Sequence, residues 1–216
     1  VLVLLAIMVA IPTCMLLGFV IERVAYRPLR NAPRLAPLIT AIGLSIVLQN
    51  VAILIWGRNY ISFPSLLPHN PLDFFGASIT DLQIVIIFLA LALMVGLLIM
   101  VEKTKLGRAM RATSQNPAVC GMMGFNVNTI ISTTFLIGAG LGAIAGVMVA
   151  ANYDQAHSHM GFIIGLKAFT AAVLGGIGNL GGAVVGGLLL GVIESLGAGY
   201  FGDLTGGFLG SNYQDI

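Results

Sequence analysis

Side chains able to do covalent or metal chemistry are few in this chain of 216 residues, and they are scattered. His157 and His159 stand two apart and would bring two imidazoles together, but no third ligand follows at a metal-ligand spacing. They and His69 read as polar loop residues. Cys14 and Cys120 fall in unlike segments with no CxxC pattern, and read as free thiols. There is no HExxH for a zinc hydrolase, no GxSxG nucleophile elbow and no GxxxxGK[ST] phosphate loop. No catalytic residue, metal or cofactor is therefore expected, and energy from ATP would have to come from another chain. A proton relay needs a chain of acids at membrane depth, and Glu194 is the only acid within an apolar stretch. It is either a functional group on a translocation path or a residue that reaches water or Lys167. Gln49, Asn50 and Asn179 are the other polar residues inside apolar segments, and either touch a cargo or bond neighbouring helices.

These groups sit in a chain made for lipid. Hydrophobic residues are 58% of the sequence and charged ones 8%, with a mean hydropathy of +1.01. Soluble domains carry about a quarter charged residues. A net charge of +2 is too small to suggest a nucleic acid partner. Val1 lies inside an apolar run with no basic segment before it, so the start is unlike a signal peptide, and the chain reads as a piece of a longer protein.

A helix crossing about 30 Å of hydrocarbon needs about 20 apolar residues. Residues 1–21, 37–56, 82–101 and 129–151 meet that need. Residues 169–196 are apolar but interrupted by Gly-Gly-Ile-Gly-Asn-Leu-Gly-Gly, so two shorter pieces broken near Asn179 are expected. The fold class is all-α, a polytopic transmembrane bundle. Basic residues cluster between spans. Residues 22–34 set Arg23, Arg27, Arg30 and Arg34 against Glu22, and residues 102–128 set Lys103, Lys105, Arg108 and Arg111 against Glu102. Each loop is net +3. The loops 57–81 and 152–167 are neutral or acidic. Positive loops stay cytoplasmic, which puts the two basic loops inside and the other two outside.

Two rows of small residues, Gly138-Gly142-Gly146-Ala150 and Ala183-Gly187-Gly191-Ser195, offer close helix contacts, with packing inside one subunit the simpler use. The basic loop 102–128 carries a further signal. Asn116-Pro117 starts a short helical segment with an apolar face of Ala118, Val119, Met122 and Met123, and Gly124 suits its C-terminal cap. Such a loop serves either as a lipid-phosphate contact or as a seat for a partner.

Three stretches carry a resemblance. Residues 22–50, ERVAYRPLRNAPRLAPLITAIGLSIVLQN, strongly resemble the permease subunits of branched-chain amino acid ABC importers, the LivH type. Residues 106–127, LGRAMRATSQNPAVCGMMGFNV, resemble that family's cytoplasmic coupling loop, and residues 167–194 are similar to its late membrane segment. Together they cover 79 of 216 residues. The resemblance implies a bacterial inner-membrane permease that pairs with a second, related permease. It implies two cytoplasmic ATPase subunits, a periplasmic binding protein that delivers an amino acid, and coupling through residues 102–128. It places ATPase coupling on Gly107, Arg108, Arg111, Ala112, Asn116, Ala118, Gly121 and Gly124. Where the coupling motif of ABC importers usually begins Glu-Ala-Ala, this chain has Arg111-Ala112-Thr113. Family members also carry further N-terminal spans and a last span with a basic tail. The alternatives are the same architecture with urea or short amides as cargo, and a channel or secondary transporter without an ATPase. The latter would need intramembrane ion-binding carboxylates, for which Glu194 is the only candidate.

Overall fold

A computed structural model describes residues 2–33, 36–63, 71–74 and 77–204, so Arg34 and His69 lie outside the described residues. Among the described residues, eight α-helices form: α1 (Leu2–Ile21), α2 (Ala36–Trp56), α3 (Asp81–Lys103), α4 (Lys105–Gln115), α5 (Pro117–Met122), α6 (Val127–Tyr153), α7 (Met160–Leu174) and α8 (Leu180–Leu204). Two short antiparallel pairs join them. β1 (Ile61–Ser62) pairs with β4 (Gln155–Ala156), and β2 (Pro71–Phe74) with β3 (Ala77–Thr80). Among the described residues, five stretches are long and apolar enough to cross a membrane: Ala6–Tyr26, Ala36–Trp56, Asp81–Lys103, Val127–Tyr153 and Leu180–Gly197. The chain is a multi-pass helical membrane protein. The described residues fall into two compact units, one up to Met160 and one from Gly161 on.

In the first unit, α1 packs along α6 through small residues. A Cβ added to Gly18 would lie 2.6 Å from the Ala139 Cβ, and one added to Gly140 3.6 Å from the Met15 Cγ. Ala143, Ala150 and Ala151 are buried along the same helix. The row Gly138-Gly142-Gly146 is a different stripe. Among the described residues of this unit, a Cβ at any of the three would meet no heavy atom within 4 Å, so the α1–α6 contact does not use it. The two rows lie one or two residues apart, and hydropathy alone does not tell them apart. The loops sort by end. At one end of α6, Ile61 and Ser62 pair with Ala156 and Gln155, and the Phe63 amide donates to the Asp154 carbonyl at 2.9 Å. At the other end the two basic loops touch, as Arg30 donates to Asn128.

In the second unit the described residues form a helical hairpin of α7 and α8. The break falls at Gly175–Asn179, where Gly176 and Gly178 have φ of +91° and +99°. Asn179 caps α8 by accepting from the Gly182 amide at 3.1 Å. A Cβ at Gly175 would stand 2.0 Å from the Gly182 carbonyl oxygen, and one at Gly186 2.3 Å from that of Ala171. Only glycine admits this approach. The first piece starts earlier than the sequence reading placed it. Lys167, counted above in a loop, lies inside α7. Its charge is neutralised by Glu194, so the apolar run from Met160 continues through it as helix.

Candidate coupling site

The site is built on an elbow. α3 ends at Lys103, Thr104 is a single extended residue (φ −87°, ψ 159°), and α4 starts at Lys105. The Thr104 hydroxyl accepts from the Gly107 amide at 3.1 Å, and the Thr104 amide donates to the Met100 carbonyl at 3.3 Å. One residue thus closes one helix and opens the next. The turn is tight enough that a Cβ on Gly107 would stand 2.2 Å from the Val101 carbonyl oxygen. α4 is amphipathic, burying Gly107, Ala109 and Thr113 and exposing Arg108 and Arg111.

Asn116 joins α4 to α5. Its amide donates to the Ala112 carbonyl at 3.1 Å, and its Oδ1 accepts from the amides of Ala118 and Val119 at 3.1 and 3.3 Å. Pro117 follows at the first helical position, where its missing N–H costs nothing. Gly124, at φ +84°, ends the segment. Phe125 donates to the Cys120 carbonyl at 3.3 Å and Gly124 to that of Gly121 at 3.1 Å, the paired bonds of a Schellman cap. Cys120 is the anchor of α5. It is 2% exposed and its Sγ lies 3.3 Å from the Thr113 hydroxyl. Val119, Met122, Met123 and Phe125 are exposed, and so are Arg108 and Arg111 on α4. Of the expected coupling residues, Arg108, Arg111, Ala112, Asn116, Ala118, Gly121 and Gly124 lie on the surface, and Gly107 is buried in the elbow. Asn116 and Gly124 shape the backbone there.

A charged hub lies next to this surface, and sequence reasoning counted it only as one negative charge among arginines. α1 ends in a π-helical turn, Glu22–Tyr26, closed by the Arg27 amide on the Glu22 carbonyl at 2.8 Å. Glu22 is 1% exposed. Its Oε2 accepts from the Ser132 hydroxyl at 2.7 Å and its Oε1 from Arg30. Arg30 also donates to the Asn128 side chain. Asn126 caps α6 by accepting from the amides of Asn128 and Thr129 at 3.1 and 3.4 Å. A cavity of about 300 Å³ opens beside the hub, lined by Phe19, Arg23, Arg27 and the first turn of α6. The segment that follows α5 is therefore tied to α1 through one carboxylate. Two signals for it were present: a lone acid closing an apolar run, and an arginine eight residues on. Its partner Ser132 is 110 residues away, which no local pattern specifies.

The four polar candidates within spans go separate ways. Gln49 donates to the Ser45 hydroxyl at 3.2 Å, and its Oε1 lies 2.8 Å from His159 Nδ1, so it joins α2 to the segment before α7. Asn50 bonds within its own helix, to the Ile46 carbonyl at 2.8 Å. Asn179 caps α8, as above. Glu194 receives Lys167 at 2.6 Å. His157 stacks on Tyr60 with ring centroids 4.5 Å apart.

Comparison with known proteins agrees with this architecture. The family described as "Branched-chain amino acid transport system / permease component" matches residues 1–211. The high-affinity branched-chain amino acid transport system permease protein BraD of Pseudomonas aeruginosa is 47% identical over 190 residues, covering 86% of this chain and 62% of that protein. The corresponding LivH of Escherichia coli K12 is 42% identical over 205 residues, 92% of this chain and 63% of its own length. A probable LivH of Methanocaldococcus jannaschii is 30% identical over 139 residues, 64% of this chain and 44% of that protein. No solved structure matches the chain. The chain thus spans somewhat under two thirds of the first two relatives. Five membrane-capable helices, a glycine-broken late hairpin and a match along nearly the whole sequence lead to one conclusion: the chain belongs to the family of branched-chain amino acid transport permease components.

Proposed function

We propose that the chain is the greater part of a permease subunit of an ATP-driven importer for branched-chain amino acids, in the bacterial inner membrane. A second, related permease would complete the path, two ATPase subunits would dock inside, and a periplasmic binding protein would deliver the cargo outside. The chain itself performs no bond chemistry. The observation that carries this reading is the α4–α5 surface: apolar and basic side chains stand open on a scaffold fixed by the elbow, two asparagine caps and a Schellman cap. A scaffold so capped moves as a body, and a partner seated on it would pull on α3 through Thr104 and on α6 through Asn126. The Glu22–Arg30 hub would pass the pull to α1.

The test is made in proteoliposomes holding the full-length parent protein with its partners. Arg111→Glu and Gly121→Glu are expected to lower leucine uptake by about tenfold or more at unchanged membrane insertion, because each puts a carboxylate into a seat built from cations and apolar side chains. ATP hydrolysis continues without uptake in that outcome. Full coupled uptake in both variants would remove α4–α5 from the coupling role.

Sidedness has its own test. Cys120 is 2% exposed, so a polar maleimide should react slowly with it. Met122 is 83% exposed, and Met122→Cys in a Cys14→Ser background is expected to label only once the inner face is opened. Labelling from outside in intact cells would invert the topology.

A further inference from the structure

The α7–α8 hairpin holds an ion pair that its packing does not require. The two helices are already fixed in register by backbone contact at Gly175 with Gly182 and at Ala171 with Gly186. Lys167 lies at the centre of α7, and Glu194 lies ten residues before the end of α8, among the exposed apolar side chains of Val192, Ile193 and Leu196. Their Nζ–Oε1 separation is 2.6 Å. A charge of either sign alone in such a segment is costly, so the two neutralise each other. Neither is enclosed. The side chains keep 34% and 33% of their surface open.

We propose that Lys167 and Glu194 form a station that reads the two charges of an α-amino acid zwitterion during passage; this rests on the importer reading above. An amino acid carries a carboxylate and an ammonium on one carbon. Moving it through an apolar path requires a charge of each sign close together, and this pair supplies both. As cargo arrives, Lys167 turns to its carboxylate and Glu194 to its ammonium. One ion pair becomes two, and no charge is stranded at any stage. When the cargo leaves, the side chains close on each other, and the empty path presents no net charge to stray ions. No bond is made or broken. Urea or a short amide carries no net charge at either end and would gain little from such a station.

The experiment measures leucine uptake, ATP hydrolysis and thermal stability of the reconstituted complex. The variants are Lys167→Gln, Glu194→Gln and the charge swap Lys167→Glu/Glu194→Lys. Each single change is expected to raise the KM for leucine by about ten- to a hundredfold, the range for losing a hydrogen bond to a charged group. The swap restores the ion pair and the melting temperature, but not the KM. The reversed charges would turn the amino acid end for end and misplace its side chain. Competition adds an independent readout. 3-Methylbutylamine, which lacks the carboxylate, should gain as an inhibitor relative to leucine in Lys167→Gln. 4-Methylpentanoate, which lacks the ammonium, should gain in Glu194→Gln. An unchanged KM in the single variants, or wild-type uptake in the swap, would make the pair a helix latch and overturn the proposal. Absence of leucine uptake by the wild-type complex would instead overturn the importer reading itself.

Discussion

Gly107→Ala is expected to abolish coupled uptake while leaving the protein in the membrane. The added Cβ would stand 2.2 Å from the Val101 carbonyl oxygen, 2.4 Å from its Cα and 2.5 Å from its carbonyl carbon. All three are backbone atoms of α3 and cannot turn aside as a side-chain tip would. Relief requires α4 to swing out from under α3, with Thr104 as its only non-helical joint. Overpacking of a rigid site costs about 3 kcal/mol at the upper end of its usual range. Here that cost is met by opening the elbow rather than by unfolding the spans, since Gly107 meets α3 only at its last turn, beside Val101. Swinging α4 away carries Arg108 and Arg111 with it, and α5 follows because the Cys120–Thr113 contact joins it to α4. Gly96→Ala is the control. It lies within α3 with nothing within 4 Å of the new Cβ, and alanine suits a helix better than glycine by about 1 kcal/mol. The check is leucine uptake and ATP hydrolysis beside the amount of carbonate-resistant membrane protein. Normal uptake in Gly107→Ala would show that the elbow is not fixed as described.

Arg30→Met is expected to be the most damaging single change to stability in the first unit, and Glu22→Gln should largely repair it. Removing the guanidinium leaves a carboxylate that is 1% exposed with Ser132 as its remaining side-chain partner among the described residues. An uncompensated buried charge costs about 3–5 kcal/mol. Glu22→Gln alone is milder, since the amide keeps an acceptor for Arg30 and can still bond Ser132. The double variant has no charge to bury and should lie close to Glu22→Gln. This non-additivity is the diagnostic, because independent sites would simply add. Thermal midpoints in detergent give the four corners of the cycle. Additive losses would mean that Glu22 and Arg30 do not act as a pair. The same hub links α1 to α6, so uptake should fall with the midpoint in Arg30→Met and recover with it in the double variant.

The sequence by itself determined the features that short-range chemistry controls. Apolar run length settles which helices are long enough to span. The charge count puts the loops 22–34 and 102–128 on one side, and Arg30 does meet Asn128 in the fold. Asn116-Pro117 and Gly124 mark the ends of α5, since a cap, a fixed φ and a left-handed residue act within a few positions. Glycines around Asn179 break the late segment for the same reason.

The tertiary structure decided which of these local features meet. It chose Gly18, Ala139 and Gly140 for the α1–α6 contact over the more regular stripe at Gly138, Gly142 and Gly146. It turned Glu22 from one charge in a loop into the hub between α1 and α6, and it placed Lys167 inside a helix by setting Glu194 beside it. In each case the deciding partner lies far away along the chain, 110 residues for Glu22 and Ser132 and 27 for Lys167 and Glu194. A span's tendency to enter lipid depends on its own composition. Which face it turns to a neighbour depends on how closely two backbones can approach, and that is fixed only when both helices are in place.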